Sequence, residues 1–406
     1  MHILFFLPNL AFYKDRVHLL MEISNGLRCL TLLVGRKDME LDLENYKHLR
    51  VINLNFHSQQ WLFNILKASR VAKRLIIQEN INIVHDTFGY LLPLFRQKKP
   101  YSSLIYLSSL FILSKWRICH IFQKYSLWKM LSSKQTALTL LNSWIETKIC
   151  MYADQVIMQA PGLIDRLLET SAIPRSKVQV INNNVDIDFW CPSSEHARSN
   201  GRDNYGLLFV GGIHFSKGIF SLIETLYVLH GMDPKWHLKI VGNWSSFDKE
   251  RVLKLIHSYD LDNVIEFIPA KLRAEELRHL YRNSYLFLYQ TINDGSPRVI
   301  LEALACGLPV VASHYPGIDN IDPKGDFICF TQFGDVEAIV KHILFLKSNG
   351  DDWQRRASLS RLAIEKYFST KAVAKQYISL YSKLLKNTKS NKTTQLNCLL
   401  NKSVHP

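Results

Sequence analysis

Asp294-Gly295-Ser296-Pro297-Arg298-Val299-Ile300-Leu301-Glu302-Ala303-Leu304-Ala305-Cys306-Gly307-Leu308-Pro309-Val310-Val311-Ala312-Ser313 runs from an acidic loop, through a Gly-Ser-Pro turn and a short helix, into an apolar strand. Ser296 followed by Pro297 reads as an N-cap and a first-turn proline, where the missing N–H costs nothing. The free backbone N–H groups of such a turn, with the helix dipole, suit an anion such as a phosphate. Glu302 lies slightly over two helical turns beyond Asp294, so two acids are placed to grip two parts of one ligand. The plainer alternatives are a solvated loop acid at Asp294 and an exposed helix charge at Glu302.

A second glycine loop lies upstream. Gly206-Leu207-Leu208-Phe209-Val210-Gly211-Gly212 is a strand entering a glycine turn, followed by Ile213-His214-Phe215-Ser216-Lys217-Gly218 and an amphipathic helix. That order brings backbone N–H groups and one ammonium together, as a diphosphate requires. Near the N-terminus, residues 3–7, 30–34 and 83–85 read as strands, with helices over 16–26 and 61–78 between them. The alternation predicts a parallel sheet flanked by helices, with ligands beyond the carboxyl ends of its strands. The polar stretch 191–205 reads as a linker. The expected organisation is an α/β domain over 1–190, the linker, a second α/β domain over 206–368, a helix over 369–386 crossing back to the first domain, and a disordered tail over 387–406.

The chain has 406 residues, 47% of them hydrophobic, so it can bury two cores. Its cysteines are scattered singly, with no Cys-x-x-Cys pair, which argues for a reducing compartment and against structural zinc. The formal charge is +15. Residues 87–145 contain no Asp or Glu, while Arg96, Lys98, Lys99, Lys115, Arg117 and Lys124 mix there with Trp116, Phe122, Tyr125 and Trp128. Such a mixture favours an anionic membrane surface over nucleic acid, with a merely solvated basic face as the remaining alternative. The N-terminal apolar run has no basic n-region, so no signal peptide is expected, and the apolar stretch 101–113 is too short to span a bilayer. These readings place the protein in the cytoplasm, with peripheral attachment to the inner face of the membrane.

The stretch from Asp294 resembles the Glu-x7-Glu signature of retaining nucleotide-sugar glycosyltransferases of family 4, with Asp294 where that family usually has its first Glu. The resemblance extends to residues 177–186, similar to the family's Val-x-Val-Ile-Pro-Asn-Gly-Val-Asp, with Asn184 for the glycine; asparagine tolerates a left-handed backbone there. Lys217-Gly218 matches the family's Lys-Gly, while Gly212 stands where an Arg is usual. Residues 8–12 carry no Gly-Gly pair, Ser108-Ser109 occupy the position of a usual histidine, and Pro269 replaces a glycine near the nucleotide base.

The resemblance implies a GT-B fold, two Rossmann-like α/β domains facing across a cleft, and transfer of a sugar from a nucleotide diphosphate with retention. It puts Asp294, Gly295 and Ser296 at the donor sugar and Glu302 on the ribose. Gly211, Gly212, Lys217, Arg298 and Val299 fall on the diphosphate, and Asn9 and His85 on the acceptor side, where a structural role for His85 is the competing reading. The implied donor is a UDP- or GDP-sugar, with no cofactor and no metal. The implied acceptor is a saccharide or lipid-linked saccharide of surface polysaccharide or glycolipid synthesis. The rivals are a sugar-nucleotide epimerase of the same fold and a non-catalytic GT-B scaffold; hydride transfer is disfavoured because no Gly-x-Gly-x-x-Gly follows the first strand.

Overall fold

A computed structural model describes residues 1–9, 14–37, 46–56, 61–87, 91, 94, 101–106, 144, 147–148, 150–193, 205–244, 248–292 and 294–402. The chain divides into two compact units. One comprises Met1–Gln159, Leu163–Asn182 and Val373–Pro406; the other comprises Ala160–Gly162 and Asn183–Ala372.

The first unit is built on β1 (His2–Asn9), α1 (Lys14–Asn25), β2 (Cys29–Arg36), β3 (Leu49–Asn53), α2 (Trp61–Gln78), β4 (Ile83–Asp86), β5 (Ser102–Tyr106), β6 (Gln155–Met158), α3 (Gly162–Thr170) and β7 (Val178–Val180). The strands form one parallel sheet in the order β3-β2-β1-β4-β5-β6-β7. β1 is central, and Ile3, Leu4, Phe5, Phe6 and Leu7 are all buried, as a strand covered on both faces by helices demands. α2 is one-sided: Asn64, Ala68, Ala72, Leu75 and Ile76 point inward at helical spacing while Arg70, Lys73 and Arg74 are exposed.

The second unit begins with β8 (Gly206–Val210), α4 (Ile219–Met232), β9 (His237–Val241), α5 (Lys249–Ser258), β10 (Ile265–Ile268) and α6 (Ala274–Asn283). It continues with β11 (Leu286–Tyr289), α7 (Arg298–Ala305), β12 (Val310–Ser313), β13 (Ile328–Thr331), α8 (Val336–Ser348) and α9 (Gly350–Tyr367). Its parallel sheet has the order β10-β9-β8-β11-β12-β13. Arg361 donates to the carbonyls of Ile187, Trp190 and Ala305, tying the segment that opens this unit to the end of α7.

The last helix, α10 (Thr370–Lys402), returns to the first unit from Val373 onward. Val373, Ala374, Tyr377, Leu380, Tyr381 and Leu384 are buried with β1 residues in one core. The helix continues through 387–402, the stretch read from composition as disordered. Extending an already nucleated helix adds one hydrogen bond per residue fixed, which offsets the poor propensity of its Asn, Ser and Thr residues.

Asn184 differs from expectation. The left-handed non-glycine residues among those described are Asn55, Asn80 and Asp260. Asn184 instead donates through Nδ2 to Thr370 Oγ1 at 3.2 Å, so its side chain, and not an unusual backbone, secures the turn. Asp186 accepts from the N–H groups of Asp188 and Phe189 and so closes a turn.

Candidate active site

In the second sheet β8 is flanked by β9 and β11, so the strand order reverses there. Loops leaving the carboxyl ends of strands at such a point diverge and leave a crevice, the usual ligand position in a doubly wound sheet. The loops that emerge here are those carrying Lys217 and Asp294. Gly218 makes their approach possible: it has φ +71°, and a Cβ there would lie 2.3 Å from Gln290 Cβ. Ile292 N–H and Thr291 Oγ1 both donate to Ser216 O, each at 3.1 Å, and join the two loops.

Lys217 forms an ion pair with Asp294 Oδ2. Its ammonium also donates to Tyr289 Oη at 3.0 Å, and Tyr289 donates to the same carboxylate oxygen. The other oxygen, Oδ1, accepts from Gly295 N–H at 2.7 Å. Burial opposes the Asp294 charge, yet Lys217 and the hydrogen bonds from Lys217, Tyr289 and Gly295 hold its carboxyl below the usual carboxylate range. Lys217 keeps 17% and Asp294 25% of its side chain exposed, so a ligand can reach both. Burial, then Asp294 and Tyr315, push the Tyr289 phenol well above its ordinary value, so it stays protonated and available as a donor.

α7 begins differently from the sequence reading. Pro297, with φ −72° and ψ 119°, occupies the cap position, and Ser296 supplies no capping hydrogen bond. The proline fixes the entry to the helix itself, which displaces the serine by one position. Ser296 Oγ is buried without a hydrogen-bond partner, and so is the Tyr315 hydroxyl. Asn183 Nδ2 donates to Ser296 O at 2.7 Å and steadies the loop. A Cβ on Gly317 would lie 1.9 Å from Gly295 O and 2.5 Å from Asp294 O, so the acidic loop rests directly on that backbone.

Arg298 and Val299 occupy the first turn of α7, both half-buried. Glu302 lies further along the same helix, where Tyr281 donates to its Oε2 at 3.2 Å. Burial, followed by the Glu302 charge, pushes the Tyr281 phenol up.

Gly211 and Gly212 follow β8 and are half-buried. A Cβ on Gly212 would stand 2.8 Å from His214 Nε2, so the imidazole fills the space beside this glycine. Ser216 Oγ lies 3.0 Å from His214 Nδ1. The absence of a side chain at Gly212 therefore makes room for the His214 ring.

The first-unit residues behave differently. Asn9 closes β1 and is half-buried. His85 is fully buried, with its ring centroid 4.1 Å from that of Phe5, and Nδ1 lies 2.8 Å from Tyr381 Oη. This is the surrounding of a core histidine, and no open face is left for an acceptor. The glycine-poor loop at 10–13, Ser108-Ser109 and most of the basic stretch 87–145 lie outside the described residues. Among the described residues no group of His, Cys, Asp and Glu is placed to hold a metal ion, and no helix is long and apolar enough to cross a membrane.

Tyr289, Tyr315, Gly317 and Asn183 were not singled out from sequence. Tyr289 had a readable signal, an aromatic hydroxyl at the end of a strand just before the acidic loop. The others come from distant segments and required the fold.

Residues 194–366 match the sequence model of glycosyl transferases group 1. An uncharacterized glycosyltransferase of Haemophilus influenzae is 30% identical over 168 residues, 41% of this chain and 46% of that protein. The O-antigen chain mannosyltransferase B of Escherichia coli is 27% identical over 177 residues, 44% of this chain and 45% of that protein. The chain thus spans about half the length of these curated relatives. In structure, sucrose-phosphate synthase from Thermosynechococcus elongatus superposes with a TM-score of 0.73 at 18% identity, covering 95% of this chain and 100% of that one. Anabaena HepE in complex with UDP and glucose gives 0.69 at 17% identity, covering 94% and 99%. At these identities the likeness establishes the fold, which is GT-B.

Proposed function

We propose that this chain, a glycosyl transferases group 1 member across residues 194–366 with a GT-B fold, moves a sugar from a nucleotide diphosphate to a saccharide or lipid-linked saccharide acceptor. The observation that carries this reading is the meeting of Lys217, Asp294 and the start of α7 at the point where the strand order of the second sheet reverses. A relative named for O-antigen mannosyl transfer and a fold neighbour solved with UDP and glucose support a nucleotide-sugar donor and a role in surface polysaccharide synthesis.

In this mechanism the diphosphate lies on Lys217 and on the N–H groups of Arg298 and Val299 in the first turn of α7. Those donors are fixed before reaction, so they stabilise the negative charge that grows on the leaving oxygen as the C–O bond breaks. Gly211 and Gly212 admit the phosphates close to the backbone, where Lys217 supplies the positive charge. Arg298, in the first turn of α7, adds to it. Glu302 accepts from the ribose hydroxyls. Asp294 holds the donor sugar together with Ser296. A nucleotide diphosphate leaves without protonation by an acid, so no acid and nucleophile pair is required, and no metal is invoked. Asn9 remains the acceptor-side residue proposed in the first unit. Transfer proceeds with retention at the anomeric carbon. The test is incubation with UDP- and GDP-sugars and mixed saccharide acceptors, with the product's anomeric proton read by NMR. An axial donor linkage kept in the product is expected; an inverted linkage contradicts retention, and nucleotide release without product contradicts transfer.

We also propose that the protein works at an anionic membrane surface, on the cytoplasmic side. Phe63, Leu66 and Ile77 are exposed on α2 along the arc that carries Arg70, Lys73 and Arg74, and that helix contains no acid. Apolar side chains among cations suit an interfacial helix, each cation contributing about 1 kcal/mol near anionic headgroups. Co-sedimentation with phosphatidylglycerol vesicles, lost on reversing Arg70, Lys73 and Arg74 to Glu, is the expected result. Equal behaviour with neutral and anionic vesicles contradicts it.

A further inference from the structure

Tyr289 closes β11 with its ring stacked near those of Phe209 and Phe287, at centroid separations of 6.3 and 6.0 Å. The ring belongs to the core, but the hydroxyl touches both members of the Lys217–Asp294 pair. This arrangement bears on a difficulty in the donor-site reading. A diphosphate that binds Lys217 competes with Asp294 for its ammonium, and a largely enclosed carboxylate that loses its counter-charge is destabilised. Two partners then remain for Asp294, the Tyr289 hydroxyl and Gly295 N–H. Asp is one methylene shorter than Glu, so its carboxylate stays low in the site, within reach of the strand end where Tyr289 stands.

We infer that Tyr289 is a positioning residue for this site: its hydroxyl holds the Asp294 carboxylate while Lys217 passes from Asp294 to the incoming diphosphate. Asp294 is thereby kept ionised and in place for the donor sugar. The Tyr289 bond matters most once the ammonium has left, because no cation then shares the carboxylate oxygen. No covalent step is involved. The Tyr315 hydroxyl is buried without a hydrogen-bond partner, and burial first, then the Asp294 charge, holds its phenol protonated.

The inference rests on the donor-site reading, and a binding cycle separates the two. UDP and GDP are titrated calorimetrically into the full chain and into Tyr289→Phe, Asp294→Asn and the double variant. Asp294→Asn frees Lys217 and is expected to tighten nucleoside diphosphate binding by about tenfold. Tyr289→Phe keeps the ring and is expected to weaken binding by about five- to tenfold when Asp294 is present, but by less than about twofold in the Asp294→Asn background. A residue that only packed the core would weaken both backgrounds equally, and that additive outcome overturns the inference while leaving the donor site standing. If the unsubstituted chain binds neither nucleotide at millimolar concentration, the donor-site reading fails and the inference with it. Should Tyr289→Phe not fold, Asp294→Asn alone decides: unchanged or weaker binding contradicts the hand-over.

Discussion

His85 and Asp294 each stand at or just beyond a central strand of one sheet, and their surroundings are opposite. His85 has aromatic neighbours, Phe5, Tyr377 and Tyr381, and burial followed by the Arg16 charge lowers its pKa well below the ordinary 6.5. It is held neutral. Asp294 is only partly enclosed, with a quarter of its side chain exposed, and an ammonium, a phenol and a backbone N–H converge on it and hold it charged. Enclosure alone therefore does not mark a functional group. What separates site from core is whether the protein supplies partners for the charged form, and whether those partners can be exchanged with a ligand.

Lys217→Ala probes that difference most severely. It leaves Asp294 without its counter-charge and removes the cation expected at the leaving diphosphate. Urea denaturation should show a loss of about 2 kcal/mol, below the value for a fully buried pair because both groups are partly exposed. Sugar transfer should fall by at least about a hundredfold. Gly317→Ala tests the backbone beneath the same loop. Its Cβ would meet Gly295 O at 1.9 Å, and displacing the loop by about 1 Å should cost transfer up to about a hundredfold, with roughly 2 kcal/mol of stability. A variant that transfers normally would show that the loop does not need its observed place.

Glu302→Gln makes a finer cut within the second unit. Tyr281 keeps an acceptor, so stability should hold. UDP or GDP affinity should drop about tenfold while inorganic pyrophosphate affinity does not change, because only the nucleotides carry a ribose. Loss of both would move Glu302 from the ribose to the phosphates. The smallest effect belongs to His85. Because its folded pKa is depressed, the unfolded chain takes up the proton first. Its contribution is therefore intact above pH 6.5 and is lost as pH falls below that value toward the folded pKa. The slope is roughly 1.4 kcal/mol per pH unit. His85→Phe should cost about 1 kcal/mol at pH 8, through the orphaned Tyr381 hydroxyl, and should flatten the acid slope. Melts at pH 8 and pH 5.5 measure both.

The contrast also explains what could be read from sequence. The second unit was legible because its loops are local: the residues from Gly206 to Gly218 and from Asp294 to Ser313 each contain a strand end, a turn and a helix start in consecutive positions. Glu302 and Lys217 follow from that spacing. Ser296 as a helix cap did not survive, because Pro297 took the capping position and its local geometry prevailed over side-chain preference. The backing of the acidic loop was not legible, since Tyr315 and Gly317 lie on a later loop and their relevance depends on strand order. In the first unit, a histidine at the end of a short strand has the same sequence appearance whether it faces a ligand or a helix. Tyr377 and Tyr381, nearly three hundred residues away, decided between those roles.

Lys217, Asp294 and Glu302 are proposed to form a nucleotide-sugar site. A thermal-shift screen of UDP-, GDP-, ADP- and dTDP-sugars, on the full chain and on Lys217→Ala and Glu302→Ala, tests it most directly. A ligand that binds the folded state at a hundred times its Kd adds about 2.7 kcal/mol of stability. The account predicts a clear rise in Tm with one nucleotide class, abolished by Lys217→Ala and reduced by Glu302→Ala. No rise with any of the donors, or a rise that both variants retain in full, would contradict it.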